Sequence, residues 1–348
     1  MAQVLLDHDV NVNAKNYRGE TALHTVSRSK LNSREGLRVT QLLLERGGDV
    51  DMRDHEHWTS LHTASYHGRV DIVQALLGHG AKANAEDIVL RTPLHEVSLG
   101  EFESQESGAR VAQILLEHGA DVGASDKHLW TPLHIASQNG RPEIAQALLD
   151  HGAETNANTD QGETPLLVLS RGCTCSSPDG VRDSQSDVRV VQLLLDRGAD
   201  VNARGNDHWT SLHGISYTGR LDIARVLLDR GANANAEDKL LRTPLHTVSL
   251  GKHKSQEDVA RIAQLLLERG ADVNPRDKNR ETPLHLACAY EGRLEIVQVL
   301  LNHATEKGDQ GQAPSHLGIE GESFPSPKNL RVANTFPRAQ RGCERTTE

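Results

Sequence analysis

The chain has 348 residues, enough for two ordinary domains or one elongated array, and 36% hydrophobic content with only 3% aromatics argues for small Leu/Ala/Val-centred units. A formal charge of −10 disfavours a nucleic-acid partner, and no run approaches the roughly eighteen apolar residues of a membrane span. Four scattered cysteines make no disulfide framework and fit a reducing compartment, the cytoplasm or the nucleus.

In chain order, residues 1–16 (MAQVLLDHDVNVNAKN) read as the second helix and turn of a repeating unit whose first helix is missing, with Asp9 where later units have glycine. This start lacks the basic and long apolar stretches of a signal peptide. It reads either as the edge of a fragment of a longer protein or as a makeshift cap on the array.

From residue 17 to 304 a tetrapeptide recurs eight times: TALH at 21–24, TSLH at 59–62, TPLH at 92–95 and 131–134, TPLL at 164–167, TSLH at 210–213, and TPLH at 243–246 and 282–285. Its threonines lie 38, 33, 39, 33, 46, 33 and 39 residues apart, so long and short units alternate. HWTSLH at 57–62 returns at 208–213 and LRTPLH at 90–95 returns at 241–246, so a block of four units is duplicated.

Each unit encodes two helices. Thr131 suits a helix N-cap and Pro132 the first turn, where its missing N–H costs nothing. Leu133 and Ala136 share one face, Gly140 ends the helix, and Ile144, Ala147 and Leu148 form the apolar stripe of a second helix closed by Gly152. The long units carry extra residues at 29–36, 100–108, 171–187 and 251–258. Ser255, with Asp258 three residues on, resembles a capping start, so most of each insertion reads as one added helical turn plus a short loop along one edge.

Threonine-proline-leucine-histidine, a small-residue helix, a glycine turn, an LL-rich helix and GADVNA together resemble the ankyrin repeat, and residues 131–157 match its pattern almost throughout. The resemblance covers about residues 3–303 and is similar to ankyrin arrays at the ends of fungal nucleotide-binding receptors. It implies an all-α repeat solenoid of stacked helix-turn-helix units with β-hairpin fingers, binding proteins rather than transforming substrates. Residues 305–348 read as a degenerate repeat remnant followed by a Pro/Ser/Arg/Asn-rich tail without periodicity.

Nineteen histidines invite a metal or catalytic reading. In ankyrin repeats the tetrapeptide histidine (here His24, His62, His95, His134, His213, His246 and His285) ties the threonine to neighbouring backbone. His8, His79, His118, His151 and His303 stand at second-helix ends, where imidazole suits the helix dipole. Cys173 and Cys175 lack further ligands for zinc. No phosphate loop or nucleophile motif is present; no enzyme activity, cofactor or metal is expected. Asn202 and Asn274 sit in fingers, where family asparagines can be hydroxylated; their simpler role is to hold the finger turn.

The position before the tetrapeptide threonine reads Glu20, Trp58, Arg91, Trp130, Glu163, Trp209, Arg242 and Glu281. Tyr66 and Tyr217 follow their tryptophans by seven residues, about two helical turns, and Tyr290 falls near the equivalent place. Trp, Tyr and Arg are enriched at binding hot spots, and the resemblance places this position on the concave finger/first-helix face that contacts partners. The expected function is a monomeric scaffold or adaptor for other proteins, its candidate surface being Trp58, Tyr66, Arg91, Trp130, Glu163, Trp209, Tyr217, Arg242, Glu281 and Tyr290. Two rival readings are a regulatory array detached from a larger signalling NTPase, and tryptophans that merely seal the stack.

Overall fold

The computed structural model describes residues 10–29, 33–102, 104–172, 184–251, 255–290 and 293–306. Among these the chain forms eight helix pairs. They are α1 (Ala22–Arg28) with α2 (Ser33–Glu45), α3 (Ser60–Tyr66) with α4 (Val70–Gly78), α5 (Pro93–Leu99) with α6 (Gln105–Glu117), and α7 (Pro132–Gln138) with α8 (Pro142–Asp150). The second block repeats them as α9 (Pro165–Arg171) with α10 (Ser184–Asp196), α11 (Ser211–Thr218) with α12 (Leu221–Asp229), α13 (Pro244–Leu250) with α14 (Gln256–Glu268), and α15 (Pro283–Ala289) with α16 (Leu294–Glu306).

First helices stack on first helices and second on second, giving two parallel layers with the core between them. The tetrapeptide leucines Leu61, Leu94, Leu133, Leu166, Leu212 and Leu245 are fully buried. They meet second-helix residues such as Ile72, Ile144, Leu148 and Ile223. On α8 the fully buried stripe is Ile144, Ala145 and Leu148; Ala147, expected within it, lies half-buried at its margin.

The added turn is present. Second helices α2, α6, α10 and α14 have 13 residues, whereas α4, α8 and α12 have 9. Ser104 and Ser255 cap two of them, accepting the N–H of Ser107 and of Asp258, each at 3.2 Å. The loop residues 30–32, 103, 173–183 and 252–254 lie outside the described residues, as do 1–9, the Cys173–Cys175 pair and everything beyond 306. At the last pair Ala304 stands where others have glycine, and α16 runs on to 13 residues.

Before the second helices of the fourth, sixth and eighth units (α8, α12 and α16) an arginine ties the preceding long unit down. Arg141 donates to the Gly100 carbonyl at 2.8 Å and lies 5.2 Å over the Phe102 ring. Arg220 pairs with buried Asp187, and Arg293 donates to the Gly251 carbonyl.

No strand occurs among the described residues, so the expected β-hairpin fingers are built as turns. In one, Asp54 N–H donates to the Trp58 carbonyl at 2.9 Å and His57 N–H to the Asp54 carbonyl at 3.2 Å. The Asp54 carboxylate accepts the N–H groups of Glu56 and Trp58 at 2.9 and 2.8 Å. This geometry needs one left-handed residue. It is Gly19 and Gly162 in two fingers, but His57, Leu90, Leu129, His208, Leu241 and Arg280 in the others, with φ between 59° and 65°. Adjacent tips are joined by backbone bonds of 3.0–3.2 Å, from His55 N–H to the Arg18 carbonyl through Lys278 N–H to the Leu240 carbonyl.

Candidate functional site

The tetrapeptide histidines form a relay between units. Each Nδ1 accepts the N–H of its own threonine, at 3.1 Å for Thr59, Thr92 and Thr131. From His24 to His246 the Nε2 then donates to the carbonyl just before the next unit's threonine: His24 to Trp58 at 2.9 Å, His95 to Trp130 at 3.0 Å, His213 to Arg242 at 3.0 Å. Both bonds are met only by the neutral Nε2–H tautomer. Burial accordingly pushes His62, His95 and His134 down to about 4, against the backbone bonds that favour the charged form. These histidines act as structural linkers. Leu167 interrupts the relay in the fifth unit.

The end-of-helix histidines cap: His79, His118 and His151 place Nδ1 2.8–2.9 Å from the carbonyls of Ala75, Ile114 and Ala147. His303 lies in the last turn of α16; His8 is outside the described residues. Among the described residues no three His, Cys, Asp or Glu side chains gather for a metal.

In four units the side chain before the threonine reaches into the seam between consecutive fingers. The Trp58 indole N–H donates to Asp87 at 3.3 Å and that of Trp209 to Asp238 at 3.1 Å. Arg91 and Arg242 pair with Asp126 and Asp277 at 3.5 and 3.7 Å. Trp130 faces a unit with Thr159 in place of the aspartate. At two of the three glutamates an arginine at the end of the same first helix answers it: Arg28 to Glu20 at 2.6 Å and Arg171 to Glu163 at 2.7 Å. Burial raises Glu163 even so, whereas at Glu20 the Arg28 and Asn16 bonds outweigh burial and hold the carboxyl low.

Trp58 is only 8% exposed. Trp130, Trp209, Arg91, Arg242, Glu281, Tyr66, Tyr217 and Tyr290 are half-buried, and Glu163 is buried. The aromatic pairs share a face as the seven-residue spacing requires: Trp58–Tyr66 centroids are 6.0 Å apart and Trp209–Tyr217 6.1 Å. Burial, with Tyr290 beside it, raises the Tyr217 phenol, which Arg293 partly offsets.

The Asn202 side chain works between units rather than within its own turn. Asn202 donates to the Gly231 carbonyl at 3.2 Å and accepts Asn233 N–H at 2.8 Å. Asn84, Asn156 and Asn235 do the same. Aspartates two residues earlier hold the local turn of Asn202 and of Asn274. Sequence reasoning missed this bridge, the arginine ties and the finger-seam pairs. The repeated Asn, Asp and Arg at fixed offsets were the available signal.

Family models described as ankyrin repeats match residues 1–87, 181–274 and 253–324, and others 115–166 and 90–127. Similar proteins include ankyrin repeat domain-containing protein 49 of Bos taurus, 45% identical over 47 residues, which are 14% of this chain and 20% of that one. Protein fem-1 homolog A of Danio rerio is 36% identical over 98 residues, 26% of this chain and 15% of its own. Serine/threonine-protein kinase VIK of Arabidopsis thaliana is 46% identical over 56 residues, 16% of this chain and 13% of its own. The chain thus spans a fifth or less of the length of these relatives. With one family model matching more than half of the sequence and eight capped helix pairs stacked in register, the chain belongs to the ankyrin-repeat family.

Proposed function

We propose that the chain is a non-enzymatic, monomeric scaffold or adaptor of the cytoplasm or nucleus, binding protein partners rather than nucleic acid on the finger/first-helix face. Ankyrin repeats are in general protein-interaction modules. The observation that carries the finer reading is a pair of aromatic clusters, Trp58–Tyr66 and Trp209–Tyr217, which recur in the duplicated block with centroid distances of 6.0 and 6.1 Å and whose tyrosines are half-buried. Rigid rings open on one side supply contact area at low entropic cost. Because Trp58 is spent on the finger seam, Tyr66, Trp130 and Tyr217 are the better test residues.

Capture from host extract by wild type and by Tyr66→Ala/Trp130→Ala/Tyr217→Ala, matched for helicity and melting, tests it. Loss of the specific proteins from a folded variant supports this face; unchanged capture contradicts it. A second reading, a regulatory array of a larger signalling protein such as an NTPase, is favoured by the match to a relative named as a kinase. An in-frame NTPase or kinase motif in the genomic sequence upstream of Met1 tests that alternative.

A further inference from the structure

The finger tips of the two blocks share a backbone but not a charge. The tip segments 53–57, 86–90 and 125–129 of the first block correspond, 151 residues on, to 204–208, 237–241 and 276–280. Three exposed uncharged residues of the first block, Ile88, Ser125 and Leu129, become exposed Lys239, Arg276 and Arg280 in the second. With Arg204 and Lys278, the second-block tips expose five cations against one carboxylate, Glu237. Their aspartates are withdrawn: Asp238 and Asp277 are buried under Trp209 and Arg242, and Asp207 is paired with Arg171 at 2.6 Å. The corresponding first-block tips expose two cations, Arg53 and Lys127, and two carboxylates, Glu56 and Glu86. This basic cluster stands on a chain whose net charge is −10.

Among these cations sit Leu240 and Leu241, 43% and 41% exposed. Leu241 is held at φ 59°, a conformation that disfavours a side chain. Neither its exposure nor its backbone helps folding. The tip bonds, Lys239 N–H to the Asp207 carbonyl and Lys278 N–H to the Leu240 carbonyl, both 3.0 Å, fix the leucines between the basic side chains of the flanking fingers.

We propose that the tips of the sixth to eighth fingers dock an acidic peptide segment with aliphatic side chains, its carboxylates meeting Arg204, Lys239, Arg276, Lys278 and Arg280 and its apolar residue meeting Leu240 and Leu241. The first-block tips have lost, or never had, this preference. This rests on the protein-binding reading and adds the partner's chemistry. Charge complementarity sets the sign. The central leucines favour a peptide over a phosphate backbone, which the net negative charge of the chain also repels.

The test is selection of random dodecapeptides on the full chain, then titration of the enriched peptides onto two variants. Lys239→Ile/Arg276→Ser/Arg280→Leu installs the residues that the first block already accommodates at those places, and Leu241→Gly keeps the left-handed turn. The expected result is peptides rich in Asp and Glu with Leu, Ile or Val, binding at least about tenfold more weakly to either variant and more weakly as salt rises. Enrichment of neutral or basic peptides, no enrichment, or affinity unchanged in both variants overturns the proposal. So does stronger displacement of the peptide by a single-stranded oligonucleotide, by phosphatidylserine vesicles or by self-association of the chain. If the proposal fails while the Tyr66/Trp130/Tyr217 variant still loses its captured proteins, the broader binding reading stands alone.

Discussion

Buried neutral histidine is where the chemistry of a single side chain bears most directly on the array. His62, His95 and His134 are held near 4 by burial, and His213 and His246 are also lowered by it. An unfolded chain protonates these rings near 6.5. Between those values the unfolded state binds more protons, so stability is complete above about pH 6.5 and falls as pH drops towards 4. Urea midpoints at pH 7.5 and pH 5 check this, and a higher midpoint at pH 5 contradicts it. His134→Ala strands the Thr131 N–H and the Glu163 carbonyl, and a loss of about 2–3 kcal/mol is expected by chemical denaturation. At the finger tips the sign reverses: Leu90→Gly relieves a left-handed leucine at φ 64° and should gain about 1 kcal/mol. The threonine–proline–leucine–histidine logic was legible in sequence because its bonds span three residues. The Nε2 acceptors lie 23 to 35 residues away and depend on stacking geometry that no local pattern encodes.

At the scale of the element, the alternation of long and short units was readable as an added helical turn, since Ser255 with Asp258 three residues on encodes a helix start inside the insertion. What fastens that turn was not readable, because Arg141 and Gly100 are 41 residues apart and the carbonyl carries no side-chain signature. The burial of the bond decides its worth. Arg141→Ala loses a charge-assisted bond to Gly100 and the stacking on Phe102, and should cost about 2 kcal/mol. Arg197→Ala removes an exposed pair with Asp150, 2.5 Å apart, and should cost less than about 0.5 kcal/mol. Thermal melts of the two variants side by side test the ranking. Equal losses would show that the arginine tie is no anchor.

Over the whole molecule, stability is a sum of unit and interface terms, and the relay of histidines is interrupted at one seam. Leu167 replaces the histidine that elsewhere donates across the seam, and Arg171, bonded to Asp207 and 5.6 Å from the Trp209 ring, fastens this seam. The eightfold repeat made the solenoid legible from sequence. The candidate surface was only partly so, because a tryptophan before threonine has the same spacing whether it is buried in the finger seam, as Trp58 is, or bonded into the seam yet half-buried, as Trp209 is. Which side of the array meets a partner is therefore the claim to test. A photoreactive phenylalanine analogue placed at Tyr217, and separately at Gln192 on the opposite layer, would be irradiated in host extract. Discrete protein adducts are expected from position 217 and none from position 192; adducts from 192 alone would place the partner on the opposite layer and contradict binding on the finger/first-helix face.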